Sequence, residues 1–140
     1  MLLAGGTDGI GLALLKQLFR EHDAEYAKCY VIGRNFARLE KQTVSKWEKL
    51  VPLQCDITDT AALEARLAEI PEEIDEFVNT VGTFYRGKAV DTPLETIQKH
   101  FDLNTVHNIK LTQLVVPKLK KGFSQVLVCL ATLAMAARHT

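Results

Sequence analysis

Five short apolar runs, at Leu2–Ala4, Cys29–Gly33, Leu50–Cys55, Glu76–Asn79 and Gln125–Ala131, alternate with longer stretches whose apolar residues recur at helical spacing. Runs this brief, bounded by polar and glycine positions, predict buried strands. From Gly11, residues Leu14, Leu15, Leu18 and Phe19 share one helical face. Phe36, Leu39, Trp47 and Leu50 mark a second helix, opened by Asn35, whose side-chain oxygen can accept a freed backbone N–H. Leu63, Leu67 and Ile70 mark a third. Thr92-Pro93-Leu94-Glu95 reads as a capping box with proline at the first helical position. A long helical region should follow, either one helix or two with a break near Phe101 to Leu103, and it should end around the "PKLKKG" stretch at Pro117 to Gly122. Parallel strands need crossovers of this length, so the alternation predicts a doubly wound parallel α/β sheet in three layers, with ligands at the carboxyl ends of its strands.

Composition narrows the class of partner. The chain has 140 residues, enough for one domain. Its 17 basic and 17 acidic residues balance to a formal charge of zero, which removes the bulk attraction that nucleic acid or anionic membrane binding needs. No apolar run approaches the roughly 20 residues of a membrane span, and "MLLAGG" lacks the basic start of a signal peptide. A soluble cytoplasmic protein is expected. Cys29, Cys55 and Cys129 sit in strand-like segments and read as buried free thiols. His100 and His107 read as rim residues, and no cluster has metal-ligand spacing. The "KLKK" run at Lys118 to Lys121 is expected to complement a helix carboxyl end.

Candidate chemistry begins at "AGGTDGIG", Ala4 to Gly11, directly after the first strand. A glycine-rich strand-to-helix turn lets backbone N–H groups and the helix dipole approach a diphosphate. Leu12 rather than lysine follows Gly11, which argues against a nucleoside triphosphatase loop, and no register satisfies GxGxxG. The spacing that fits is GxxxGxG, at Gly5, Gly9 and Gly11.

In order along the chain, this turn, "CDITD" at Cys55 to Asp59, "NTVG" at Asn79 to Gly82, "LNTVHNI" at Leu103 to Ile109 and "VLVCLAT" at Val126 to Thr132 resemble the motifs of the short-chain dehydrogenase/reductase family. The resemblance covers nearly the whole chain and implies a single Rossmann-like dinucleotide-binding domain over residues 1–140. It implies that Gly5, Thr7, Asp8, Gly9, Ile10 and Gly11 surround the cofactor diphosphate, with the Asp8 carboxylate turned to solvent or capping the helix. Asp56 would meet the adenine amine with Ile57 beside the ring; Asn79 would brace the sheet centre while Val81 and Gly82 line the cofactor. Asn104 would be a catalytic-site asparagine. Thr132 stands where the family has a serine that polarises the substrate carbonyl.

A family member using NAD(H) carries an acid at the end of the second strand, which bonds the ribose and repels a 2′-phosphate. Here that strand ends "VIGRN": Gly33 takes the acid's place and Arg34 offers a planar guanidinium to a phosphate. NADP(H) is therefore favoured over NAD(H), with Asn35 adding a contact or capping its helix. The implied reaction is hydride transfer between nicotinamide and a small-molecule carbonyl or alcohol. The family's tyrosine and lysine, in YxxxK, occur nowhere in these residues, because Tyr26, Tyr30 and Tyr85 are followed four positions later by Tyr30, Arg34 and Ala89. Together with an apolar fifth strand left near a sheet edge, this leads us to expect a longer protein whose fold continues past these residues. Two other readings remain: a non-catalytic dinucleotide sensor or scaffold, and, more weakly, a methyltransferase. The resemblance also leaves a homodimer or homotetramer, paired through the long helix, open.

Overall fold

The computed structural model of the chain describes residues 1–71, 73–85, 87–120 and 125–128. Strands β1 (Leu2–Ala4), β2 (Cys29–Gly33), β3 (Leu50–Gln54), β4 (Glu76–Asn79) and β5 (Gln125–Val128) form one parallel sheet in the order β3-β2-β1-β4-β5. The chain winds outward from β1 to β3 and then returns to place β4 on the other side of β1. That reversal makes the junction of β1 and β4 the switch point where a doubly wound sheet opens a crevice.

Alternation along β1 explains the layers. Leu2 and Ala4 join the apolar cluster of Leu63, Leu67, Leu111 and Val115, which belong to α3 (Thr60–Ala68) and α5 (Asn108–Val115). Leu3 points the other way, to Leu12, Leu15 and Leu18 of α1 (Gly9–Glu21) and to Leu39 of α2 (Ala37–Glu40). Full burial of each such leucine is worth about 1.5–3 kcal/mol, so both faces hold their crossovers firmly. The three-layer, doubly wound prediction stands.

Two expectations are corrected in detail, and an alternative is decided. The second helix covers only Ala37–Glu40; Gln42 is extended, and a tight 3₁₀ turn at Thr43–Lys46 carries Val44 and Trp47 inward. The Ser45 hydroxyl donates to the Gln42 carbonyl at 2.7 Å, and the Trp47 indole N–H donates to Asp23 Oδ1 at 2.5 Å. Local hydroxyl chemistry thus replaces the helical ladder. The capping box does not form either. Thr92 Oγ1 donates to the Lys88 carbonyl at 2.7 Å, and Pro93 precedes the first helical residue of α4 (Leu94–Phe101) with its carbonyl accepting from Thr96 and Ile97. The threonine is already committed to the turn at Ala89–Asp91. Of the two readings of the long helical region, the continuous one holds: a π-helical segment, Asp102–His107, joins α4 to α5 (Asn108–Val115) without interruption.

Other expectations are met. Asn35 Oδ1 accepts from the Ala37 N–H at 2.8 Å, opening α2. Lys118 Nζ reaches the Ile70 carbonyl at 3.3 Å, just past the end of α3. Cys29 and Cys55 are buried free thiols, and burial pushes the Cys29 thiol up to about 12. Cys129, Thr132 and His139 lie outside the described residues. No helix among the described residues is long and apolar enough to cross a membrane.

Candidate active site

A cleft of about 350 Å³ opens at the carboxyl ends of β1, β2, β3 and β4. The turn between β1 and α1 supplies Gly5, Thr7, Asp8, Gly9 and Ile10; the ends of β2 and β3 supply Arg34, Asp56 and Ile57; the segment after β4 supplies Val81 and Gly82. These are the residues the motifs singled out. Gly11, Asn35, Asn79 and Asn104 stand behind or beside them rather than on the wall.

The turn is built by exclusion. Gly5 has φ +85°, and a Cβ there would fall 2.6 Å from Thr80 Oγ1. Its N–H donates to the Ile32 carbonyl at 2.9 Å, while the Thr80 N–H and hydroxyl both return to the Ala4 carbonyl at 2.9 and 3.0 Å. Gly9 differs: φ is +52°, yet a Cβ would meet nothing within 4 Å. It faces the open cleft, so its glycine leaves the backbone bare where a ligand would approach. Asp8 caps α1, accepting from the Gly9 N–H at 2.6 Å, and its exposed carboxylate also pairs with Arg38. The Gly9 bond first, and Arg38 after it, hold this carboxyl below its ordinary value. It thus caps the helix, as expected.

Beside this cleft lies a second hollow of about 540 Å³, lined by Thr7, Asp8, Arg34, Asn35, Arg38 and Lys41 among others. Arg38 and Lys41 were not singled out from the sequence, although their spacing after the Asn35 cap was a usable signal. Gly33 has a structural reason as well: a Cβ there would sit 2.5 Å from Thr7 Cγ2. A larger side chain at that position would have to displace the Thr7 side chain.

On the opposite wall, Asp56 Oδ1 accepts from the Thr58 N–H and hydroxyl at 3.0 and 2.9 Å. The Thr58 amide is the largest influence on this carboxyl and lowers its pKa; partial burial opposes it, and Arg34 and His107 reinforce it. One oxygen is thus occupied, and the cleft-lining residue remains ionised to bond a ligand.

Behind Val81 and Gly82 sits a buried asparagine network. Asn79 Oδ1 accepts from the Val81 N–H at 2.9 Å, and Asn79 Nδ2 donates to Asn108 Oδ1 at 2.8 Å. Asn104 clamps both backbone polar groups of Thr83: its Oδ1 accepts from the Thr83 N–H at 2.8 Å and its Nδ2 donates to the Thr83 carbonyl at 2.9 Å. His100 sits half-buried against Tyr85, its Nδ1 donating to the Thr96 carbonyl at 2.8 Å. Asn108 was also missed, although it stands on the apolar stripe of Leu111 and Val115 where a leucine would be expected.

The residues fit a dinucleotide: bare backbone at Gly9, a helix N-terminus and an ionised carboxylate line one crevice, and a cationic hollow lies beside it. The sequence matches the short chain dehydrogenase family over residues 1–136. The chain belongs to that family of oxidoreductases. Its members bind nicotinamide dinucleotides and act on small molecules. The chain is 30% identical over 133 residues to the benzil reductase ((S)-benzoin forming) of Saccharomyces cerevisiae, covering 87% of this chain and 49% of that protein. Among solved structures, it superposes on serine dehydrogenase from Escherichia coli with a TM-score of 0.70 and 26% identity, over 84% of this chain and 54% of that one. The NADPH-bound carbonyl reductase from chicken fatty liver shares the fold, with a TM-score of 0.67 and 19% identity over 84% of this chain and 47% of that one. The chain spans about half the length, or less, of the curated relatives it matches.

Proposed function

We propose that these residues form the cofactor-binding part of a cytoplasmic NADP(H)-dependent oxidoreductase that transfers hydride between nicotinamide and a small-molecule carbonyl or alcohol. The observation that carries the cofactor preference is the hollow at the end of β2, where Arg34, Arg38 and Lys41 surround the place next to Gly33. Guanidinium groups bind phosphate through paired, charge-assisted hydrogen bonds. The NADPH held by the chicken carbonyl reductase lends this reading support from a protein of the same fold.

The chain's own groups divide the work. Backbone N–H groups at Thr7 to Gly11 and the α1 dipole bind the diphosphate. The free oxygen of Asp56 accepts from the adenine amine, with Ile57 against the ring. Asn79 holds the Val81 wall, and Asn104 holds the loop at Thr83, its position in the family being that of a catalytic-site asparagine. Thr132 keeps a hydroxyl able to bond a substrate carbonyl. When bound, a nicotinamide would supply the hydride. Self-association through the α4 to α5 region completes the proposal.

Titration of the intact natural protein with NADPH and with NADH, followed by nicotinamide fluorescence, tests it. NADPH is expected to bind at least tenfold more tightly, and Arg34→Ala to erase most of that difference. Equal losses for both dinucleotides would defeat the NADP(H) assignment.

A further inference from the structure

A buried asparagine on an apolar helical stripe needs a reason, and Asn108 has several. It is 1% exposed and shares its face with Leu111 and Val115, both 0% exposed. Its Oδ1 accepts from Asn79 Nδ2 at 2.8 Å. Its Nδ2 donates to the carbonyls of Val81 at 3.0 Å, Leu103 at 3.1 Å and Asn104 at 3.1 Å. An amide nitrogen carries two hydrogens, so three acceptors share two donors and at least one bond is bifurcated.

The π-helical segment lies immediately before this residue. Inside Asp102–His107 the hydrogen-bond register widens by one residue, and it returns to α register at Asn108. Asn108 stands at the first residue of α5, and its side-chain amide donates to the Leu103 and Asn104 carbonyls from within the helix. The same amide reaches across to Val81, whose N–H is already held by Asn79. Both polar groups on Val81 are thereby fixed by one asparagine pair.

We infer that Asn108 is a positioning residue for the dinucleotide site: through Val81 and Leu103, both on the wall of the 350 Å³ cleft, it sets the width of the crevice without touching the ligand. The inference rests on the cofactor reading above and extends it to a residue outside the cleft. Because it concerns the wall rather than the cationic hollow, it makes no distinction between the two nicotinamide dinucleotides.

The test uses Asn108→Leu and Asn108→Asp in the intact natural protein, with fold and melting temperature recorded by circular dichroism. Affinities for NADPH, NADH and 5′-AMP are measured well below each melting temperature. Asn108→Leu is expected to weaken all three by a similar factor, tenfold or more. Asn108→Asp at neutral pH turns an anionic oxygen toward three carbonyls and should bind as poorly. Its carboxyl is raised by burial, so acidification restores an O–H donor and should recover affinity relative to wild type at the same pH. If the leucine variant fails to fold, the aspartate variant at acidic pH decides the question. A lowered melting temperature with unchanged affinities, or no recovery on acidification, would overturn the inference. Failure of the wild-type protein to bind any of these nucleotides would instead defeat the cofactor reading itself.

Discussion

Replacement of Gly11 by alanine sets a favourable local effect against an unfavourable long-range one. In a helix alanine is better than glycine by about 0.8–1 kcal/mol, and Gly11 lies in the first turn of α1, so propensity alone predicts stabilisation. The added Cβ, however, would fall 2.2 Å from the Gly5 carbonyl oxygen, 2.4 Å from Thr80 Oγ1 and 2.8 Å from the Gly5 carbonyl carbon. A carbon needs more than 3 Å from such atoms, and neither neighbour yields readily. Gly5 is fixed by its bond to Ile32 at 2.9 Å and its φ of +85°, and the Thr80 hydroxyl is bonded to Ala4 at 3.0 Å. The first turn of α1 must therefore lift off the β1–β4 junction. Overpacking of this kind costs about 1–3 kcal/mol or somewhat more, and against backbone the upper end applies. The net loss is about 2 kcal/mol. For a chain of roughly twice this length, with an unfolding entropy of about 0.6 kcal/mol/K, that corresponds to a fall in melting temperature of about 3–4 °C, read by thermal circular dichroism. A variant melting at or above the wild-type temperature would refute the packing argument and leave helix propensity in command.

Two carboxylates give further predictions. Asp8→Asn removes the charge that pairs with Arg38 at the edge of the cationic hollow, so NADPH affinity should rise about threefold relative to NADH in low salt and the gain should shrink in high salt; a fall in NADPH affinity would mean that Asp8 is needed to hold Arg38 in place. Asp56→Asn should weaken 5′-AMP binding about tenfold, in line with loss of a charge-assisted hydrogen bond. Because the Asp56 carboxyl is lowered from 3.8, first by the Thr58 amide, its contribution is fully present above that value and is lost only as pH falls through the lowered one. Wild-type 5′-AMP affinity, measured by calorimetry, should accordingly show no Asp56 titration between about pH 5 and 8.

How much of this was legible in the sequence depended on the range of the forces involved. The glycine turn is a local object: φ angles of +85° at Gly5 and +52° at Gly9 belong to residues whose identity announces them. The runs of β1 and β2 were equally plain because both strands are buried on both faces. The second helix was misread because Phe36, Leu39 and Trp47 are buried as the helical pattern required, while Gln42 and Ser45 bend the backbone into a 3₁₀ turn. Apolar periodicity reports what is buried and leaves the backbone path to the hydroxyl and amide groups between. The Thr92 capping box failed for a related reason, since the hydroxyl had a nearer acceptor in Lys88.

The site residues missed from the sequence share one property, which is that their partners lie far along the chain. Arg38 acts with Asp8, 30 residues away, and Asn108 acts with Val81 and Asn79, 27 and 29 residues away. No local pattern encodes such a pairing, yet each residue left a mark by breaking one. An asparagine where the stripe of Leu111 and Val115 asks for an apolar side chain is a contradiction between local and global preference, and such contradictions concentrate where function is served. The π-helical segment is the backbone counterpart. It widens the register at Asp102–His107, on the same helical run from which Asn104 reaches Thr83 and Asn108 reaches Val81, and its Leu103 and Asn104 carbonyls accept from the Asn108 amide. The polar residue and the irregular backbone therefore meet at one place: the amide that bonds the carbonyls of the segment also holds Val81 at the cleft.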